Sequence, residues 1–132
     1  MGCIYFSLND YRTHVGESGR GRYKARIHGL TDMWFGKKPS FGVYAGLASP
    51  VYFESVQQHA GGTQAEVTIV VKNSLPSYTL RGYTLVDGER SLPLPALKPG
   101  DKFTATIGGT DPHRKPRVRV VRPTGYVAAE ND

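Results

Sequence analysis

Apolar residues fall at two different spacings along the chain, and the change from one to the other divides it. From Val51 onward the period is two. Val67, Ile69 and Val71 alternate with Glu66, Thr68 and Lys72; Phe103, Ala105 and Ile107 alternate with Lys102, Thr104 and Thr106; Val118 and Val120 alternate with Arg117 and Arg119. Each pattern predicts a half-buried strand with one wet face. The alternation slips at Gly82, between Tyr78 and Leu85, which predicts a bulge there. Asp87-Gly88, Lys98-Pro99-Gly100-Asp101 and Gly108-Gly109 supply turns between the strands. Six or seven short strands punctuated in this way predict an immunoglobulin-like β-sandwich over residues 50–132. The Cys–Trp–Cys signature of antibody domains is absent, so the expectation concerns architecture alone.

Before Val51 the pattern differs. Ile4 to Leu8 is a short apolar run with little alternation, as expected of a strand covered on both faces in a parallel sheet. It gives way to the polar cluster Asn9-Asp10-Tyr11-Arg12-Thr13-His14. Residues 15–36 hold five glycines and read as a long loop, with one short element around Ile27 to Trp34. Lys38-Pro39-Ser40 then opens a short helix, because proline is suited to a first turn whose N–H has no intrahelical partner. Phe41, Tyr44, Ala45 and Ala48 recur at helical spacing and are the expected buried face, although Gly42 and Gly46 weaken the helix. Ser49-Pro50 ends it and marks a boundary between residues 1–49 and 50–132.

Composition narrows the function classes. The chain has 132 residues, with nine prolines and sixteen glycines, which favours short strands and turns over a helical bundle. Its one cysteine, Cys3, has no internal disulfide partner. The apolar runs are too short to span a bilayer and no basic-then-apolar leader opens the chain, so we expect a soluble protein with no membrane partner. Met1-Gly2-Cys3 fails the myristoylation pattern, which wants Ser or Thr where Phe6 stands. The formal charge of +6 is concentrated at the front: residues 1–49 carry seven Lys/Arg against three Asp/Glu, and residues 50–132 carry ten against eight. Basic clusters at 20–26 and 114–119 could meet phosphate backbones, but such runs are more often solvated faces, and we do not assign a nucleic-acid partner.

The candidate chemistry is sparse. His14, His28, His59 and His113 lack ligand spacing, so no metal site is expected, and no cofactor motif is present. The glycines of 16–21 lack the Gly-Lys-Ser/Thr ending of a phosphate loop. Trp34, the sole tryptophan, would stack on a sugar if it lies on a loop, or else serves in packing.

The order Asn9-Asp10-Tyr11, Gly29-Leu30-Thr31-Asp32, Lys37-Lys38-Pro39-Ser40-Phe41 and Leu47-Ala48-Ser49-Pro50-Val51 resembles the end of the catalytic barrel in glycoside hydrolase family two. Residues 67–73, 76–83 and 122–126 resemble the sandwich that follows that barrel in some members. The resemblance implies a mainly β chain: an immunoglobulin-like sandwich preceded by a remnant of a (β/α)8 barrel, namely one strand, a loop and a short helix. It implies a parent that hydrolyses β-glycosidic bonds of carbohydrates with two glutamates, both preceding Met1, so this chain holds no catalytic residue. The parent's substrate-binding positions would fall, as vestiges, at Phe6, Asn9 and Asp10, with Phe6 in the place of the aromatic that floors the sugar subsite. A retaining pair needs two carboxyl groups about 5–5.5 Å apart, one held protonated and one ionised. Residues 1–49 offer only Asp10, Glu17 and Asp32. The expected role is therefore a non-catalytic C-terminal fragment whose sandwich supports the barrel and subunit contacts. The alternative is an independent carbohydrate- or protein-binding module with Tyr52, Tyr78, Tyr83 and Tyr126 as its platform. Without barrel neighbours, the strand at Ile4 to Leu8 and the helix face at Phe41 and Tyr44 would fold back on the sandwich, stay disordered or pair with another chain, and dimerisation or exchange through residues 1–49 is the expected outcome.

Overall fold

The computed structural model describes residues 7–12, 25–59, 62–88, 90–108 and 116–131, the side chains of Arg12, Ala25 and Arg26 excepted. The chain divides between Leu47 and Ala48 into two compact units.

The larger unit is built from two antiparallel sheets. β3 (Val51–Gln58), β4 (Gln64–Val71) and β7 (Lys102–Gly108) form one, in the order β3-β4-β7; β5 (Thr84–Asp87), β6 (Arg90–Pro93), β8 (Val118–Val121) and β9 (Val127–Glu130) form the other, in the order β6-β5-β8-β9. The chain passes from the first sheet to the second after β4, returns after β6 and crosses again after β7. The alternating positions explain the packing. Val67, Ile69 and Val71 on β4, Ile107 on β7, Leu85 on β5, Val118 and Val120 on β8 and Ala128 on β9 are all buried in one shared core. The protein is mainly β, as its period-two pattern predicts.

β3 reaches this core by changing parity. Its register against β4 shifts between Phe53 and Ser55, so Phe53 faces Ile69 while Val56 faces Val67. The extra residue, Glu54, lets an odd position and an even position pack on the same side. The predicted bulge at Gly82 takes another form. Leu80 is bridged to Leu97, the strand β5 starts only at Thr84, and Gly82 between them has a φ of +68°. A left-handed residue there turns the chain so that Leu80, Tyr83 and Leu85 are all buried despite their broken spacing. The turn at Lys98–Asp101 closes by a bond from the Asp101 N–H to the Lys98 carbonyl, with Gly100 at a φ of +86°. β8 and β9 are joined through Pro123-Thr124-Gly125, where the Gly125 N–H donates to the Arg122 carbonyl in a three-residue hairpin loop.

The smaller unit has little regular structure. β1 (Tyr11–Arg12) pairs antiparallel with β2 (Ala25–Arg26), Asn9 bridges Thr31 in parallel, and Thr31 bridges Lys37. The expected strand from Ile4 lies mostly outside the described residues. At its end Ser7 has a φ of +74° and Leu8 is exposed, so extended pairing begins at Asn9. The helix α1 (Pro39–Ala48) starts at the proline as predicted, but its expected buried face is not buried: Phe41 and Tyr44 are half-buried, and Ala45 and Ala48 are exposed. Among the described residues no helix is long and apolar enough to cross a membrane.

Candidate functional site

The smaller unit brings together the groups that the sequence singles out around Asp10. Gly29 allows this by its lack of a side chain. A Cβ there would lie 2.3 Å from the carbonyl carbon of Asn9 and 2.4 Å from the Asp10 nitrogen, so the two segments touch backbone to backbone. The Asp10 N–H donates to the Thr31 carbonyl, and the Thr31 N–H to the Leu8 carbonyl, both at 2.9 Å. Asp10 is thereby buried with its carboxylate turned inward. Its Oδ1 accepts from the Gly29 N–H at 2.9 Å and from Lys38 Nζ at 2.6 Å. Lys38 Nζ also donates to the Ile27 carbonyl at 2.9 Å, so one ammonium ties three segments together.

The electrostatics follow from these contacts. The Lys38 hydrogen bond holds the Asp10 carboxyl below its ordinary value of 3.8; burial opposes this, and the Gly29 N–H and the charges of Lys38 and His28 assist it. Asp10 is thus a carboxylate fixed in an ion pair. A proton-donating acid in a glycosidase needs the reverse, a carboxyl held protonated by an apolar setting.

Of the other expected positions, Phe6 lies outside the described residues. Asn9 is half-buried and its side-chain amide donates to the Asp10 carbonyl at 3.2 Å. Asp32 braces a loop: its Oδ1 accepts from the N–H groups of Trp34 and Gly36, each at 2.8 Å, while its own N–H donates to the Gly36 carbonyl. The brace presents Trp34 and Phe35 side by side, 80% and 66% exposed, with Phe35 at a φ of +65°. Leu8, Ile27, Val43 and Leu47 are exposed in the same unit. Lys37 Nζ sits 4.9 Å from the centroid of the Phe41 ring.

Sequence reasoning treats Lys38 only as a helix-opening residue and passes over Phe35. The partnership of Lys38 with Asp10 spans 28 positions and carries no local signal. The Asp32-to-Gly36 spacing is the cue that could have marked the Trp34–Phe35 tip as a braced turn.

The tyrosines proposed as a platform on the larger unit divide. Tyr52, Tyr78 and Tyr126 are exposed, while Tyr83 is buried with its hydroxyl 3.0 Å from that of Tyr78, and Arg122 Nη1 donates to the Tyr78 hydroxyl at 3.3 Å. Tyr83 is therefore packed in the core and bound to Tyr78, and is not itself available as a platform residue. No group of three His, Cys, Asp or Glu side chains among the described residues could hold a metal ion. No family model, no curated protein and no solved structure matches the chain.

Proposed function

We propose that the chain is a non-catalytic part of a β-glycosidase of the family-two kind, in which the two-sheet body is a support and the smaller unit docks on further protein. The observation that carries this is the apolar surface of the smaller unit: Leu8, Ile27, Trp34, Phe35, Val43 and Leu47 are exposed and α1 has no buried residue. Large exposed apolar surface belongs to interaction sites, and these six exposed side chains all fall in one small unit. Two further features support the reading. The parallel bridge between Asn9 and Thr31 suits a remnant of a parallel barrel, and the strand order β3-β4-β7 with β6-β5-β8-β9 suits an immunoglobulin-like sandwich. Asp10, committed to Lys38, acts as a strut.

A second reading, a sugar-binding module, draws on the Trp34–Phe35 tip, since adjacent exposed aromatics can stack on pyranose faces. Trp34 is the only tryptophan, so its fluorescence separates the two. The first reading expects red-shifted, acrylamide-quenchable emission that β-linked oligosaccharides leave unchanged. A saturable blue shift with sugar, lost in Phe35→Ala, would favour the second.

A further inference from the structure

Four strands end the two sheets, and three of them are guarded. β3 is bulged at Glu54, β9 has four residues and a register shift against β8, and β6 is four residues long and ends in Pro93. Short length, bulges and proline are devices that stop a sheet edge from pairing further. β7 has none of them. Its seven residues pair with β4 without any register shift, from Gln64↔Gly108 to Val70↔Lys102, and among the described residues it has no strand on its other side. Alternate N–H and C=O groups of an edge strand point away from its one neighbour.

We propose that the free edge of β7 pairs with β7 of a second copy of this chain, antiparallel about a two-fold axis at Ala105. The sequence of the strand, Lys102-Phe-Thr-Ala-Thr-Ile-Gly108, is self-complementary in that register. Thr104 falls opposite Thr106 of the other copy, Phe103 opposite Ile107, and Lys102 opposite Gly108, so no two like charges of the strand itself face each other. The Arg90 guanidinium lies beside Gly108, 3.1 Å from where a Cβ would stand, and among the described residues is the one cation that Lys102 of the other copy would approach. The outward positions Lys102, Thr104 and Thr106 are exposed, whereas Phe103, Ala105 and Ile107 turn toward the core. One threonine pair already lies on this face: the Thr68 and Thr104 hydroxyls lie 3.0 Å apart across β4 and β7. Pairing would extend that row through the axis and join two three-stranded sheets into one of six, with the isologous contact that two-fold dimers require. The only charge on the strand, Lys102, is occupied by Glu54 at 2.6 Å on the same sheet. Self-association through β7 does not depend on the glycosidase reading. It would lie on the larger unit, apart from the self-association expected of residues 1–49.

One strand pair is a small interface, so the dimer is weak, populated at about 0.1 mM and above. Sedimentation equilibrium on the full chain up to about 1 mM tests it with two double variants. Thr104→Lys with Thr106→Lys sets lysine against lysine twice across the axis and is expected to weaken dimerisation at least about tenfold. Thr104→Glu with Thr106→Lys sets glutamate against lysine twice and is expected to restore or exceed the parent's affinity. Both carry the same Thr106→Lys change across from Glu66 and differ only at position 104, so a common folding defect would depress both alike. A parent chain that stays monomeric at about 1 mM would overturn the proposal. So would a dimer indifferent to the β7 variants but dissolved by Val43→Lys with Leu47→Lys, which would locate the contact on the helix instead.

Discussion

Gly29 and Tyr83 show how much single positions constrain the chain. Gly29 lies against the backbone of Asn9 and Asp10 more closely than any Cβ permits, and its N–H donates to the Asp10 carboxylate. Gly29→Ala must push the segments apart and is expected to destabilise the smaller unit by about 2 kcal/mol. Hydrogen exchange should show this as faster exchange at Thr31 and Lys38, with the amides of β4 unchanged. Tyr83 has its hydroxyl pushed up from 10.0 to about 12, chiefly by burial and then by its hydrogen bond and charge coupling to Tyr78, with Arg122 opposing. Because the folded value lies above the unfolded one, the stabilisation is complete below pH 10 and is lost as pH rises from 10 to about 12. An alkaline unfolding series should therefore fall less steeply over that window for Tyr83→Phe than for the parent. At this scale the sequence is only partly legible. Asp10 stands out because polar residues cluster abruptly after an apolar run, but its ion pair with Lys38 depends on a fold that brings residues 10, 27, 29 and 38 together.

Among the elements, β4 is the most completely determined by its own pattern. It is central in its sheet, flanked by β3 and β7, and its Val67, Ile69 and Val71 row is fully buried. Truncating Ile69→Ala leaves a cavity where Phe53 and Phe103 face it, and is expected to cost the larger unit about 3 kcal/mol in denaturant unfolding. Period-two alternation makes β4, β7 and β8 readable in advance because each has one core face and one wetter face. β3 is harder to read, since the residue added at Glu54 hides the shared side of Phe53 and Val56. The helix shows the limit of periodicity in the other direction: Phe41, Tyr44, Ala45 and Ala48 are correctly spaced, yet spacing cannot say whether a surface exists to receive them. The Gly82 slip signals a real departure from the strand, and its form as a left-handed turn follows from the tertiary pairing of Leu80 with Leu97.

For the whole molecule, a self-contained two-sheet body and a small, apolar-surfaced unit are an arrangement suited to support and contact. The carboxylates described near the front of the chain are engaged: Asp10 with Lys38 and Gly29, Asp32 with Trp34 and Gly36. Asp10 is held ionised by Lys38, the reverse of the protonated acid that retaining glycoside hydrolysis sets against a second, ionised carboxylate. Under the function proposed above, this chain serves a carbohydrate-acting protein without performing its chemistry. Turnover of a panel of aryl β-glycosides by the purified chain measures this most directly, with Asp10→Asn assayed beside it. The predicted result is hydrolysis indistinguishable from solvent for both proteins; steady hydrolysis by the parent chain that disappears in Asp10→Asn would contradict it.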